Sequence, residues 1–517
     1  MNVESVTSDA RSATTSGTHS PSGPRPNSPA KTLEHYELSM DRKLVIMASV
    51  VGTQLIQMIS SGTGFDTSLA ISSQLGVPSS ASAVWVAAAY TLTQGSFVLP
   101  GGRLGALYGH KNMLFLGGLA WIAFTLGSAF APNFIALCIL RGLSGVGGGI
   151  MVPNCVALLG ITFPPGRMRN IAFGLFGSSA PVGAAGGSLI GGIIVQFAPW
   201  KWMYITMAIA GFAVFGIAFL STPRDSPVDK GGSLDLAGSY LGVAALFLFN
   251  FAWNQAPAVG WSTVYVYVLL IVAILHAVGF VWWSRSYARH PIVPFTVWTR
   301  PSFGPLLLVV VLTLMSFSAL IWYLCIWELN IRHYTLTATG ASIAPIVVVG
   351  AATALIGAWL VPRLQAQYIM GMGVGVVLCA SILVATMPEQ QVYWAQAFVA
   401  ALISGAGPDL IVTAAQVITS NSVPRREQGP VGSLIGALQT YGLSTGLGIA
   451  GTVEAYVNDG GRNVVRGYRG GLFLAIGLAA LALAIDLLFV RMQADTREGW
   501  SESDIHKQDE EKATVGV

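Results

Sequence analysis

The chain has 517 residues, of which 53% are hydrophobic and only 10% are charged. Soluble globular domains carry roughly 25% charged residues, so this composition indicates a membrane protein and excludes a soluble enzyme. The net charge of +4 is small and dispersed along the chain, and it gives no indication of a nucleic-acid partner.

Residues 1–42 are rich in Ser, Thr, Pro and Gly, and such a segment cannot bury a core, so we predict a disordered tail. From residue 44 onward, apolar stretches of roughly 20 residues, the length that a helix needs to cross a bilayer, follow one another. Fourteen spans are predicted, near 44–66, 82–106, 113–131, 134–161, 170–197, 202–221, 234–253, 262–284, 303–326, 338–361, 366–387, 391–419, 429–455 and 470–490.

A long basic connection, residues 284–301, precedes the last six spans. It divides the chain into six helices, two extra helices and six more. We therefore predict a tail over 1–42, a six-helix bundle over 43–222, a linker with two accessory helices over 223–300, a second six-helix bundle over 301–490 and a tail over 491–517. An all-α membrane protein is expected.

Basic residues predict the orientation, because cytoplasmic loops carry an excess of Lys and Arg. Loops on the side of the N-terminus carry eleven basic residues: Lys111, Arg167, Arg169, Arg224, Lys230, Arg285, Arg289, Arg300, Arg363, Arg425 and Arg426. The opposite loops carry five, which are Lys201, Arg332, Arg462, Arg466 and Arg469. Both termini are predicted to be cytoplasmic.

Two neighbouring spans carry the strongest functional signal. Arg141 lies among apolar residues of the span 134–161, and a cation at membrane depth normally faces a partner or a wet cavity. The next span places Gly183, Gly187 and Gly191 on one face after Pro181, and small residues let helix backbones approach closely. This combination suggests a moving pathway, hence a secondary transporter. The alternative for Arg141 is a structural cation bonded to carbonyl groups.

The loop GGRLGALYGHKNML, residues 101–114, resembles the signature G-x-L-a-D-r-x-G-r-k of the major facilitator superfamily. Gly102, Leu104, Gly109 and Lys111 match, whereas Ala106 occupies the acidic position. In that family the aspartate helps to latch the cytoplasmic side. Here either Arg103 or His110 uses another partner, or the inner gate is looser.

Two further motifs extend the resemblance. The run from Leu137 to Gly147, with Arg141 inside it, is similar to the fourth-helix motif whose arginine is linked to proton coupling. Pro181 with its three glycines resembles the fifth-helix motif of the antiporters. With fourteen spans, the chain resembles the 14-spanner drug:proton antiporters, and residues 407–454 resemble their fungal aminotriazole-resistance type. This implies two bundles related by pseudo-two-fold symmetry.

Acidic and amide side chains inside the spans are candidates for transport. Asp409 follows Gly405-Ala406-Gly407-Pro408, where the helix should loosen; it is a proton-exchange candidate or a cap of the broken helix. Asp66 is the second candidate, with exposure at the interface as its alternative, and Arg141 would favour the charged form of either. Glu328 is expected in a surface pair with Arg332. Candidates to line a cavity are Gln54, Gln57, Gln416 and Gln439.

No G-x-x-x-x-G-K-[ST] loop and no H-E-x-x-H motif occurs, so we expect no ATP-driven motor, metal or other cofactor, and no enzyme activity. We predict proton-coupled export of a small organic compound across a fungal plasma membrane by a monomer. Uptake by the same architecture is the alternative. A non-transporting receptor or scaffold is the alternative of a different class.

Overall fold

The computed structural model describes residues 38–77, 79–163, 167–223, 225, 227, 229, 232–288, 302–360, 363–422 and 425–491. The predicted tails and residues 289–301 of the linker lie almost entirely outside these ranges. Regular structure in the described ranges is helical throughout, without a strand. The part from Met40 onward forms one compact unit.

The first half of the chain contributes nine helices within the described residues. They are α1 (Met40–Gln74), α2 (Ser80–Ala83), α3 (Trp85–Tyr108), α4 (His110–Ser128), α5 (Phe134–Thr162), α6 (Arg167–Phe197), α7 (Lys201–Ser221), α8 (Leu236–Val259) and α9 (Val264–Ser286).

The second half contributes eight more within those ranges. They are α10 (Phe303–Asn330), α11 (Leu336–Ser342), α12 (Pro345–Leu360), α13 (Ala366–Thr386), α14 (Ala397–Ser404), α15 (Ala406–Ser422), α16 (Arg425–Val457) and α17 (Val464–Phe489).

Eleven helical segments of the described chain are long and apolar enough to cross a membrane. Helices α3, α4 and α16 occupy the other three predicted positions. Two predicted spans are interrupted: 338–361 divides into α11 and α12, and 391–419 divides into α14 and α15 at Gly405. The second break falls where the Gly-Pro sequence predicts loosening of the helix.

Hydrogen bonds between helix ends define two faces of the protein. Arg42 at the start of α1 donates to the carbonyl of Ser221 at the end of α7 (3.0 Å), and Ser302 before α10 donates to the carbonyl of Phe489 at the end of α17 (3.2 Å). We call the side on which α1 begins the N-terminal face and the other side the opposite face.

Helix contacts define two bundles, and contacts between helices of the two bundles connect them. In the first, α1 packs on α6 and α7, and α5 packs on α3 and α4; in the second, α10 packs on α16 and α17, and α13 packs on α15 and α17. Between them, α3 of the first bundle contacts α16, and α6 contacts α11 and α12. The second and fifth spans of one bundle thus meet the fifth and second spans of the other. This exchange is the pattern expected of pseudo-two-fold symmetry.

The accessory helices pack on each other, and α8 also packs on α3 and α16. Fully buried amides hold α8 there: Asn250 donates to Thr445 Oγ1 (2.7 Å) and accepts from Ser444 Oγ (2.8 Å), and Asn254 donates to the carbonyl of Ser444 (3.2 Å). Polar side chains in lipid bond across helices in this way, because an unpaired amide there is costly. The sequence did not predict this attachment.

Candidate functional site

Arg141 of α5 is 1% exposed and joins three helices. Its Nε donates to the carbonyl of Val86 on α3 (3.1 Å), and its terminal nitrogens donate to the hydroxyl (2.9 Å) and carbonyl (3.1 Å) of Ser60 on α1. The guanidinium carbon also lies 5.0 Å from the ring centre of Tyr90 and 5.8 Å from that of Tyr204. Hydrogen bonds and aromatic faces offset the cost of burying this cation.

No carboxylate of the described chain forms an ion pair with Arg141 within 4.0 Å. Its partners are neutral, as expected for the structural alternative, and a role in proton coupling stays a prediction. The structure therefore does not bring Arg141 into direct contact with Asp66 or Asp409.

Asp66 lies in α1 and is 1% exposed, so exposure at the interface, one of the two alternatives for it, is wrong. Neither carboxylate oxygen has a hydrogen-bond partner within the described residues. The Ser188 hydroxyl lies beside it but outside hydrogen-bond geometry. A Cβ added to Gly192 would lie 2.9 Å from Asp66 Oδ2 and 2.6 Å from the carbonyl oxygen of Leu336. Asp66 is thus a buried, unpaired carboxylate where α1, α6 and α11 meet.

Asp409 lies in the first turn of α15 and is 9% exposed. A Cβ added to Gly350 of α12 would lie 2.5 Å from the ring of Pro181 and 3.3 Å from Asp409 Oδ2. Asp409 therefore adjoins the point where α6 of one bundle contacts α12 of the other. The sequence singled out Pro181 and Asp409 separately, and the structure brings them together.

The glycine face of α6 packs on α1. A Cβ added to Gly183 would lie 2.7 Å from the carbonyl oxygen of Leu55, one on Gly187 would lie 2.3 Å from that of Ile59, and one on Gly191 would lie 3.0 Å from Thr63. These distances leave no room for a side chain at the first two positions. The two helices meet backbone to backbone along this face.

The predicted gating loop between α3 and α4 finds its acidic partners in the connector between α7 and α8. Arg103 forms a salt bridge with Asp229 (2.8 Å), and the Asp229 amide donates to the carbonyl of Ala106 (3.1 Å). Asp225 accepts from the backbone amides of His110 (2.5 Å) and Lys111 (3.2 Å), at the N-terminus of α4. Carboxylates favour such a position because it offers unpaired N–H groups and the positive end of the helix dipole.

Other residues of this loop also form hydrogen bonds with neighbouring helices. The His110 ring bonds to Asn154 of α5 (2.8 Å), and Lys111 donates to the carbonyl of Thr222 (2.5 Å). Gly109 has a φ of 94°, which a residue with a side chain rarely adopts, and Gly102 lies against Ser433 of α16. The alternative in which Arg103 and His110 use other partners describes this loop. Its role as a gate stays a prediction.

The four glutamines occupy different environments. Gln57 is fully buried and accepts from Gln94 (3.2 Å), Gln54 is 7% exposed, Gln439 is half-buried and Gln416 is exposed. A narrow crevice without room for a water molecule lies between α1, α3 and α16, and none of the four lines it. Its lining residues are Ser61, Phe65, Ala87, Thr91, Leu443 and Leu447.

Two further buried carboxylates lie near the opposite face. Glu328 is fully buried and accepts a hydrogen bond from Ser342, so the expected surface pair with Arg332 is wrong. The reason is that α10 extends to Asn330, four residues beyond the predicted end. Glu454 of α16 is 9% exposed and accepts from Tyr323 (3.0 Å). In the sequence, burial of these groups was indicated by the position of each carboxylate within one helical turn of the end of an apolar run.

The described residues hold no cluster of three or more His, Cys, Asp or Glu side chains that could bind a metal ion. The arrangement offers buried carboxylates, one cation bound to neutral groups, and close helix contacts between two bundles. Such groups suit the binding and release of protons rather than covalent chemistry.

Comparisons with known proteins agree with this architecture. The model of a family described as the Major Facilitator Superfamily matches residues 50–447. The chain is 34% identical to a low affinity ammonium transporter of Saccharomyces cerevisiae (88% of this chain and 91% of the relative) and 33% identical to the efflux pump terG of Aspergillus terreus (88% of each). It is 32% identical to the aminotriazole resistance protein of S. cerevisiae, over 78% of this chain and 76% of the relative.

Among solved structures, a POT family transporter in complex with a thioalcohol-conjugated peptide is similar, with a TM-score of 0.63. It covers 86% of this chain and 95% of that chain, at 14% identity. At that identity the likeness concerns the fold alone.

Proposed function

The chain belongs to the Major Facilitator Superfamily, and from this membership we propose that it exports a small organic compound in exchange for protons. It is a multi-pass membrane transporter, not an enzyme, and its fold is the all-helical one expected from the sequence. The expected resemblance to fungal efflux and aminotriazole-resistance proteins is confirmed. Substrate class, coupling ion and direction belong to the proposal.

The observation that carries the proposal is the position of Asp409. Its carboxylate is buried beside the contact of Pro181 with Gly350, between the two bundles. An ionised carboxylate in such a place is costly, so a proton there is favoured while the contact is closed. When the bundles separate, water reaches the site and the proton can leave. Movement of the bundles and proton release are thereby linked.

In this mechanism the bundles rock about a binding site near the middle of the membrane, open to one face at a time. Asp409 and Asp66 exchange protons, and Arg141 holds α1, α3 and α5 together. The loop from Gly102 to Lys111 stabilises closure at the N-terminal face through Asp225 and Asp229. We assign both termini to the cytoplasm, the location to the plasma membrane and the working unit to a monomer, with the proton gradient in place of any cofactor and no nucleic-acid partner.

Asp409→Asn tests the proton assignment, because the amide keeps the shape of the side chain and cannot exchange a proton. A toxicity and accumulation screen of cells with and without the protein first identifies a substrate. Its flux is then measured in vesicles under an imposed pH gradient. We expect the variant to insert normally and to lose export driven by the gradient. Unchanged dependence on the gradient would remove Asp409 from the mechanism.

Uptake is the second candidate, favoured by the 34% identical relative described as a low affinity ammonium transporter. The same vesicles separate the two, because export and import respond oppositely to the sign of the imposed pH gradient. A receptor or scaffold would bind the compound without moving it. Binding with no flux under either gradient would therefore overturn transport altogether.

A further inference from the structure

The two bundles meet tightly near the opposite face, where residues 188–196 of α6 contact α11. We call this contact the opposite-face seam. A Cβ added to Gly340 would lie 2.7 Å from Leu189 Cα, and the Thr337 amide donates to Gln196 Oε1 (2.9 Å). Backbone lies against backbone here, so the seam is closed.

Two carboxylates, one from each bundle, are buried against this seam. Asp66 of α1 lies beside Ser188 and Gly192 of α6, and Glu328 of α10 accepts from Ser342 at the end of α11. Both lie close enough to the Cys325 thiol to act on it electrostatically. Their exposed fractions are 1% and 0%.

Few groups stabilise negative charge here. The Ser188 hydroxyl and the backbone amides of Asp66 and Thr67 lie near the Asp66 carboxylate outside hydrogen-bond geometry, and Ser342 donates to Glu328. Both oxygens of Asp66 and Oε1 of Glu328 lack hydrogen-bond partners within the described residues. Arg332 acts on Glu328 from a distance, but its Nε donates to the carbonyl of Glu389 (3.2 Å) and no ion pair forms within 4.0 Å. Arg332 therefore offsets only part of the cost of a charge on Glu328.

Besides Arg332 and Cys325, Glu328 faces the titratable group of Tyr393, in the connection between α13 and α14. Burial, together with the nearby Glu328 and Tyr334, raises the pKa of Tyr393 to about 12. Its hydroxyl donates to the carbonyl of Ser342 (2.7 Å) and stays neutral at physiological pH. Among the described residues, the Cys325 thiol is the titratable group that lies near Asp66.

An ionised carboxylate that leaves water without a paired partner is strongly disfavoured, and this applies to both groups. Neutral amides would fill the same places at lower cost if only hydrogen bonding were required. Closed packing therefore selects the protonated forms, and opening of the seam exposes both groups to water.

We propose that Asp66 and Glu328 form a two-proton binding site that must be loaded from the opposite face before the seam can close. The role of this site in transport rests on the proposed function. The site adds Glu328 to Asp66 as a second proton-binding group and couples both carboxylates to the opposite-face seam. Closing takes up two protons from water at the opposite face, and reopening to that face returns them to water.

Hydrogen exchange of the unmodified protein tests the site without any substrate. Protection of residues 336–342, corrected for the intrinsic pH dependence of exchange, reports the closed seam, and residues 113–125 of α4 provide an internal reference. If opening releases two protons, the ratio of open to closed seam rises by up to about 100-fold per pH unit. Protection of the seam that does not vary with pH in the wild type would overturn the proposal.

Variants assign the protons to residues. In Asp66→Asn or Glu328→Gln we expect the dependence to fall to about tenfold per pH unit, and in the double variant to vanish with the seam closed. Glu389→Gln, which neutralises an exposed carboxylate on the same face, is the matched control and should behave as wild type. An undiminished slope in either single variant, or a lost slope in the control, would contradict the assignment.

The hydrogen-exchange result and the flux result test different claims. A seam that responds to pH in a protein whose flux ignores the proton gradient would refute proton-coupled transport alone. Flux driven by the gradient with a seam that does not respond to pH would refute this site alone.

Discussion

Gly187→Ala tests whether the pathway depends on direct backbone contact between α1 and α6. A Cβ at position 187 would lie 2.3 Å from the carbonyl oxygen of Ile59, so the helices must separate by about 1 Å to reach an ordinary contact of 3.4 Å. The adjacent Gly186 has no atom within 4 Å of the corresponding position. Gly186→Ala is therefore a matched control with the same chemical change.

The magnitude follows from two opposing effects. Overpacking costs typically about 1–3 kcal/mol, whereas replacing a helical glycine with alanine gains about 1 kcal/mol. We expect Gly187→Ala to be destabilised by up to about 2 kcal/mol and Gly186→Ala to be as stable as wild type or more so. Transport should fall in the first only, because Ile59 precedes Ser60, which holds Arg141 through its hydroxyl and carbonyl.

The assay is thermal unfolding of the purified protein in detergent, with the two variants and wild type measured side by side. Flux in vesicles at matched protein content supplies the second readout. If Gly187→Ala unfolds at the same temperature and transports at the same rate as Gly186→Ala, close approach on this face is not required, and the argument from glycine spacing fails.

Three further predictions concern groups with defined partners. Arg141→Lys keeps the charge but lacks the planar fork, so it leaves acceptors on two helices unpaired; thermal unfolding should report a loss of about 1–3 kcal/mol, and an unchanged melting temperature would contradict this. Single charge reversals at Arg103 or Asp229 should slow transport, and the double reversal should restore it. Since this pair is partly exposed, the coupling energy from the double-mutant cycle should be about 0.2–1 kcal/mol, and a double variant no better than the worse single one would refute the pair. Asn250→Leu should detach α8 from α16 at a cost of about 0.6–2 kcal/mol, read from the melting temperature.

Hydropathy and local signals predicted most of the fold, because in a membrane the length of an apolar run decides whether a helix spans. The Gly-Pro sequence before Asp409 correctly indicated an interrupted helix, and glycine spacing correctly indicated a close-packed face on α6. In both cases the cause lies within a few residues of the feature, so the sequence alone contains it.

The sequence could not predict which side chains pair when they lie on different segments of the chain. The partner of Arg103 lies on a different connector, and Ala106 at the usual acidic position gave no indication of where the compensating acid would be. Glu328 was assigned to the surface because hydropathy blurs helix ends, although α10 continues past it. The attachment of α8 through Asn250 could not be predicted for the same reason, since an amide in an apolar run does not specify its partner.

The central claim is that the two bundles open alternately to the two faces. Distances between paired spin labels test it most directly, in a variant that transports after replacement of Cys138, Cys155, Cys325 and Cys379. One pair, at Gln196 and Thr337, spans the opposite-face seam, and the other, at Gly174 and Leu364, lies toward the N-terminal face. We predict that a change of pH or addition of substrate lengthens one distance while it shortens the other. Two distances that stay fixed, or that lengthen and shorten together, would contradict alternating access.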